Sequence, residues 1–489
     1  MAIELKLLID KEKNRVVFAE SNTLFVDALF SFLTLPIGSM IRLSSKKSNV
    51  GSMDALYESV ENLDSRYLQT EAVKDMLLRP RSGLEARTKD LALNVDGELT
   101  RYYICGLPCI GESLDPLIST AKNVRCHCGR AMDVELVVKK SEPVADGNDE
   151  GVFVKGLMMF MIGDDLRVGP ISMKSFLSLL DKHGIRDRAA LEEKTVDVGA
   201  DEALHILRRL LVSNTPLTDV FLPKPGAVED AFDALKLSPK NIAIDKKDTG
   251  KKMSLELLIS KSKNKVLYAE ATEDFLDLLF SFLTFPLGSI VKLLGPGYSI
   301  GCLNNLYQSV EDLSRDDNCI IAEECRAMLL DPKLALHSGC ENQLLPIMEG
   351  GPKTIHGNTR CIFCDLDGKI HYKDICPFIG KSVLHFINPK SSDATTDCGG
   401  GFVKGRKTTF MVTDGLDVKP LSLISGISIL DRFDVPISDV EERVVSVGEE
   451  EALSLLKASL FSRTVLSDVF CQKKVNQSEI KSKIKLERH

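Results

Sequence analysis

Near the start of the chain, apolar positions first run in short β-branched stretches and then recur every three or four residues. Leu5–Ile9 and Val16–Ala19 flank the polar turn Asp10-Lys11-Glu12-Lys13-Asn14, which predicts a hairpin. Phe25, Ala28, Leu29, Phe32 and Leu33 then share one helical face. Ser21 or Asn22 is placed to cap this helix, and Pro36 and Gly38 to end it. A second amphipathic helix is expected around Met53, Leu56, Tyr57 and Val60, and a third leading to Met76-Leu77-Leu78 before Pro80. Further on come a strand at Gly156–Ile162, a turn at Gly163-Asp164-Asp165 and a helix around Phe176–Leu180. A last helix carries Ala203, Leu204, Leu207, Leu210 and Leu211 on one stripe, with Glu202, His205, Arg208 and Arg209 opposite.

The same pattern returns 250 positions later. Between Val16–Ser39 and Val266–Ser289, 14 of 24 positions are identical, and Leu56-Tyr57 recurs as Leu306-Tyr307. Thr218-Asp219-Val220-Phe221 matches Ser467-Asp468-Val469-Phe470 near the ends. Agreement over a whole unit reads as a tandem duplication. The order of elements predicts an α+β fold: two homologous α+β repeats, each with an N-terminal β-hairpin, amphipathic helices and a cysteine-bearing β segment. The first repeat is expected over 1–222, with sub-units of about 1–138 and 152–222 around the polar loop Lys139–Gly151. A linker over 223–253 follows. The second repeat is expected over 254–471, with sub-units of about 254–387 and 402–471, before a basic tail at 472–489. Phe275–Leu294 is the most apolar run, but Asp277, Pro286, Gly288 and Lys292 interrupt it. It reads as a buried helix, a turn and a strand, and no membrane span is expected.

Composition narrows the function classes. A formal net charge of -8 and an absence of Trp argue against nucleic-acid binding. Thirteen cysteines, an odd number with no export signal, favour free thiols or metal ligands in a reducing compartment. A cytoplasmic location is therefore expected, with a nuclear one open.

Cys105, Cys109, Cys126 and Cys128 form the most suggestive cluster, because zinc takes four thiolate or imidazole ligands from cysteine pairs on turns. The second repeat offers Cys361, Cys364 and Cys376, with His371 and His385 nearby. The alternative for all of them is that of small buried hydrophobes. No catalytic residue is assigned: His183 and His205 are replaced by Phe433 and Ser454 in the other repeat. Asp164 and Asp414 sit at hairpin turns, and the Thr-x-Leu-x-Asp-Val-Phe pattern fits a chain reversal with Val and Phe buried.

The blocks Lys6-Leu7-Leu8-Ile9-Asp10-Lys11, Asn14–Glu20, Phe25-Val26-Asp27 and Leu33–Ser39 resemble the plant family catalogued as domain of unknown function 674. Glu192–Gly199 and Leu217–Phe221 resemble its other signature, so nearly the whole chain is covered in two copies. The resemblance implies a shared fold and a cysteine-bearing middle segment. It implies no reaction. At Cys126-His127-Cys128 one residue is missing from the family pattern, and Ile379 stands near the expected last cysteine of the second repeat. The expected function is a non-enzymatic soluble scaffold or protein-interaction protein with structural zinc and a protein partner. The alternatives are a metal-binding or thiol redox-sensing module, and an enzyme with its site between the repeats.

Overall fold

The computed structural model describes the chain apart from residues 1, 89–90, 92, 97–100, 106–116, 138–150, 157, 224–249, 296–297, 299, 316–318, 352–353, 358–381, 392–399, 406–407 and 472–489. Most of the expected linker, the basic tail and the polar loop after Lys139 thus lie outside the described residues.

The fold is α+β, and each half is organised around a five-stranded antiparallel sheet. In the first half the order is Leu191–Val198, Ile3–Asp10, Arg15–Asn22, Met159–Gly163 and Val168–Pro170. In the second it is Val440–Val447, Met253–Ser260, Lys265–Ala271, Phe410–Thr413 and Val418–Pro420. The expected hairpin is the centre of each sheet, and both hairpins carry a register shift at the same place, Leu8/Ile9 and Leu258/Ile259. Alternation puts Ile3, Leu5, Leu7 and Ile9 into the core, while Glu4 and Lys6 face outward. The strand that closes each sheet at one edge comes from nearly 200 residues downstream, so the sheet ties the two ends of the half together.

The first helix, Thr23–Ser31, begins where expected, with the Asn22 side chain accepting from the Leu24 N–H at 3.1 Å. Pro36 does not simply end it. After a 3-10 turn at Phe32–Thr34, Pro36 caps a further helix, Ile37–Leu43, that contains Gly38. The same happens after Pro286, where Leu287–Leu294 is helical. The strand expected in the Phe275–Leu294 run is therefore a helix. Ile290 and Val291 suggested a strand, but a helix buried on most faces can carry the same β-branched residues.

Those helices interlock the halves. The Ile37 N–H donates to the Phe285 carbonyl and the Leu287 N–H to the Leu35 carbonyl, both at 3.0 Å. A Cβ on Gly38 would lie 2.9 Å from the Leu283 oxygen, and one on Gly288 3.1 Å from the Leu33 oxygen. Gly51 and Gly301 share a φ of +49°, and a side chain on either would overlap the backbone of the opposite half, at Ser459–Leu460 and Leu210–Leu211. The remaining exchanges are also reciprocal. Ile321 donates to Phe153 and Gln69 to Phe402, each at 2.9 Å. The hydroxyls of Ser59 and Ser309 accept from Val418 and Val168 of the opposite half, again at 2.9 Å. One continuous core results, running from Phe25, Phe30 and Phe32 to Phe275, Phe280 and Phe282. A small mixed sheet joins Leu117–Ile118 of the first half to Ser382–Phe386 and Thr354–Gly357 of the second.

Candidate functional site

Three of the four cysteines expected to bind metal in the first half come together. Cys105 ends the strand Arg101–Ile104, while Cys126 and Cys128 lie on the turn of a two-stranded ribbon, Val124–Arg125 with Ala131–Met132. The turn is closed by the Cys126 N–H donating to the Arg130 carbonyl and the Gly129 N–H to Cys126, at 2.9 and 2.8 Å. Gly129 takes φ +79°, a value that favours glycine and lets the chain reverse between the two strands of the ribbon. The three Sγ atoms lie within 4.8 Å of one another, with Cys105 at 3.2 Å from Cys126 and 3.9 Å from Cys128. Sulfurs around a tetrahedral zinc with bonds of about 2.3 Å sit about 3.8 Å apart, so the spacing is near what zinc needs. Cys105 and Cys126 are buried beside Ala121, Val124, Met132 and Ile387, whereas Cys128 is exposed. Cys109 lies outside the described residues, as do Cys361, Cys364, Cys376 and His371. His385, on the Ser382–Phe386 strand, is paired in register with Leu117 of the first half.

Two thiols elsewhere, Cys302 and Cys340, are not poised as nucleophiles. Burial pushes the Cys340 thiol up to about 12 and that of Cys302 higher still, the opposite of what activates cysteine. His183 ends the helix Met173–His183 ahead of the left-handed cap Gly184, and its backbone carbonyl accepts from Lys13. Burial and the neighbouring Arg15 lower its pKa. His205 is exposed on the polar face of Ala200–Leu210.

The turn aspartates are clasps. Asp164 is buried and accepts from Arg15 Nε, the Thr218 N–H and the Thr218 hydroxyl at 2.8–2.9 Å. Asp414 accepts from Ser467 N–H and hydroxyl at 2.8 Å. Each thus pins the expected chain reversal, in which Val220 and Phe221 are half-buried against the core. A second aspartate pair was not singled out from the sequence. Asp27 accepts from the Phe153 and Val154 N–H groups at 3.0 Å, and Asp277 from Phe402 and Val403 at 2.7 and 3.0 Å. Burial outweighs those bonds, raising Asp27 to about 6 and Asp277 to about 7. The signal was available: an acid interrupts the same apolar helical face in both halves.

On the outer face of each sheet lies one helix with an exposed apolar side. In the first half Met173 is 70% and Leu177 57% exposed on Met173–His183, beside a cavity of 410 Å³ lined by Lys6, Leu8, Phe18, Met161 and Phe176. In the second half Leu423 is 81% and Ile424 79% exposed on Leu423–Arg432, with Ile427, Ile437 and Val444 also exposed. Glu256 faces Glu270 across the ladder there, and Glu442 stands opposite Leu258. Burial, then Glu256 and Glu442, push the Glu270 carboxyl up, as a concentration of like charge does. Lys6 and Glu20 are the corresponding opposed pair in the first half.

Among the described residues, no helix is long and apolar enough to cross a membrane. The sequence profile described as "Protein of unknown function (DUF674)" matches residues 1–450. No curated protein and no solved structure matches the chain.

Proposed function

The chain belongs to the DUF674 family, and we propose that it is a non-enzymatic soluble scaffold of the cytoplasm that docks a partner protein. The single observation behind this reading is the pair of exposed apolar helix faces, Met173–His183 and Leu423–Arg432, at equivalent positions on the two sheets. Water-facing Leu423, Ile424 and Ile427 form a contiguous apolar strip, which marks interaction surfaces more often than free surface. The carboxylates of Glu256, Glu270 and Glu442 beside it suit a partner helix whose apolar side is flanked by Lys or Arg. The test is a pull-down at native salt with the natural chain and with the double variant Leu423→Asp/Ile427→Asp. The natural chain should retain a partner that raised salt releases, and the variant should not. No stable partner, or one held equally by the variant, would overturn the reading.

The sulfur geometry of Cys105, Cys126 and Cys128 supports a second, structural role in holding zinc, and Cys109, outside the described residues, is the fourth ligand proposed from its place in the sequence. A further zinc at Cys361, Cys364 and Cys376 is the corresponding proposal for the second half. Elemental analysis of the purified chain should find about one equivalent of zinc, or about two if both sites fill. Less than about a tenth of an equivalent, with Cys105→Ser leaving the melting temperature unchanged, would leave the thiols as buried apolar groups.

A further inference from the structure

A cleft of 770 Å³ opens in the first half between the loop at Ser44–Asn49 and the helix Ala200–Leu210. Its volume is that of a small-molecule site. Lys47, His205, Arg208 and Arg209 line it, and Asp219 is the acid among its described lining residues. Cationic lining is notable on a chain whose net charge is -8. Nearby acids are engaged elsewhere. Asp54 accepts from Ser48 and Asn49, and Glu61 pairs with Lys46. Arg208 is held in place by its Nη2 donating to the Leu43 carbonyl at 2.9 Å, while its buried Nε has no hydrogen-bond partner. The bond to Leu43 fixes Arg208, which itself lines the cleft, so less side-chain freedom is lost when an anion binds.

The second half shows how such a cleft is closed. Tyr298 stands at the position of Ser48, and Lys457 takes the place of Arg208. The Lys457 ammonium lies 3.7 Å from the centre of the Tyr298 ring and is hydrogen-bonded to its hydroxyl. An aromatic ring thus satisfies the cation where the first half has a serine turned away onto Asp54. The cation at this position is thus covered by a ring in the second half, whereas in the first it lines the cleft beside Arg209 and Lys47.

We propose that the first-half cleft binds a small molecule bearing one or more phosphate groups, with Arg208, Arg209 and Lys47 contacting its oxygens. Guanidinium groups match phosphate geometry through paired N–H donors, and lysine adds a point charge at the mouth. Calorimetric titration of the full chain at low salt tests this, with inorganic pyrophosphate and a sugar monophosphate as probes. Binding of pyrophosphate alone identifies a free inorganic anion as sufficient, and stronger binding of the sugar ester identifies an organic phosphate. Arg209→Gln should weaken whichever probe binds at least tenfold, and Ser48→Tyr should abolish binding by installing the second half's plug. Melting temperatures of both variants establish that they are folded. If Ser48→Tyr does not fold, Arg209→Gln and Lys47→Gln, on exposed or half-exposed positions, carry the test. Absence of binding by either probe up to about 10 mM, or binding undiminished in the folded variants, overturns the proposal.

Discussion

The interior and the periphery of the two halves follow different rules. Inside, many contacts have a counterpart: Gly38 with Gly288, Gly51 with Gly301, Ser59 with Ser309, Asp27 with Asp277. At the periphery, the equivalents diverge: Arg209 against Ala458, Lys6 against Glu256, an open groove under Met173–His183 against Tyr268 packed with Val435 and Phe433. The reason is geometric. Each half supplies backbone groups and side chains that complete the other, so an interior residue must suit two environments at once, while an outward residue touches only its own half.

The most severe way to test reciprocity is to lock one glycine. Gly301→Val would place a β-branched residue at φ +49° against the Leu210–Leu211 backbone. It is expected to cost on the order of 4 kcal/mol, combining strain and overpacking. Denaturant unfolding followed by probes in both halves should show one shared transition moved to lower denaturant. Two separate transitions would mean that the halves are independent.

The aspartate pair gives the next effect. An acid whose folded-state pKa is raised holds its proton more tightly when folded. Its stabilisation is therefore present at low pH and is lost as pH rises from the ordinary 3.8 through about 7 for Asp277 and about 6 for Asp27. Asp277→Asn should remove on the order of 1–3 kcal/mol of that decline, and Asp27→Asn less of it, over a lower window. Urea midpoints measured between about pH 4 and pH 8 report the slopes. Equal slopes in both variants and the natural chain would remove the carboxylates from the account.

Two smaller comparisons follow. Ser59→Ala and Ser309→Ala each leave a buried N–H of the opposite half without its acceptor, and each should cost about 1–2 kcal/mol. Inequality beyond about 1 kcal/mol would show that the mutual contacts are not equivalent in energy. Last, Asn22→Ala should cost about 1 kcal/mol because its side chain caps a helix, whereas Thr272→Ala should cost little because Thr272 makes no such bond. A reversed order in thermal melts would mean that the cap is not what holds the Asn22 turn.

Much of the architecture is legible in the residue pattern. The hairpin of Leu5–Ala19, the helix from Thr23 and the helix at Met53–Asn62 follow from spacing, because local periodicity decides which face of an element is apolar. Ile290 and Val291 misled for the same reason: where an element is covered on most sides, periodicity carries no information about its type. The cysteines were legible as a cluster. That Cys105 meets Cys126 and Cys128 depends on a strand and a ribbon turn that no short-range rule places together.

Sequence by itself determined the α+β character and the positions of cores and corners, since these rest on side-chain periodicity and turn chemistry. Only the tertiary structure decided that the halves interlock through Pro36 and Pro286, that Asp27 and Asp277 clasp distant backbone, and that Arg208 lines a cleft while Lys457 packs on the Tyr298 ring. Those features join residues more than a hundred positions apart, and their existence depends on how complete surfaces fit, which no local pattern records.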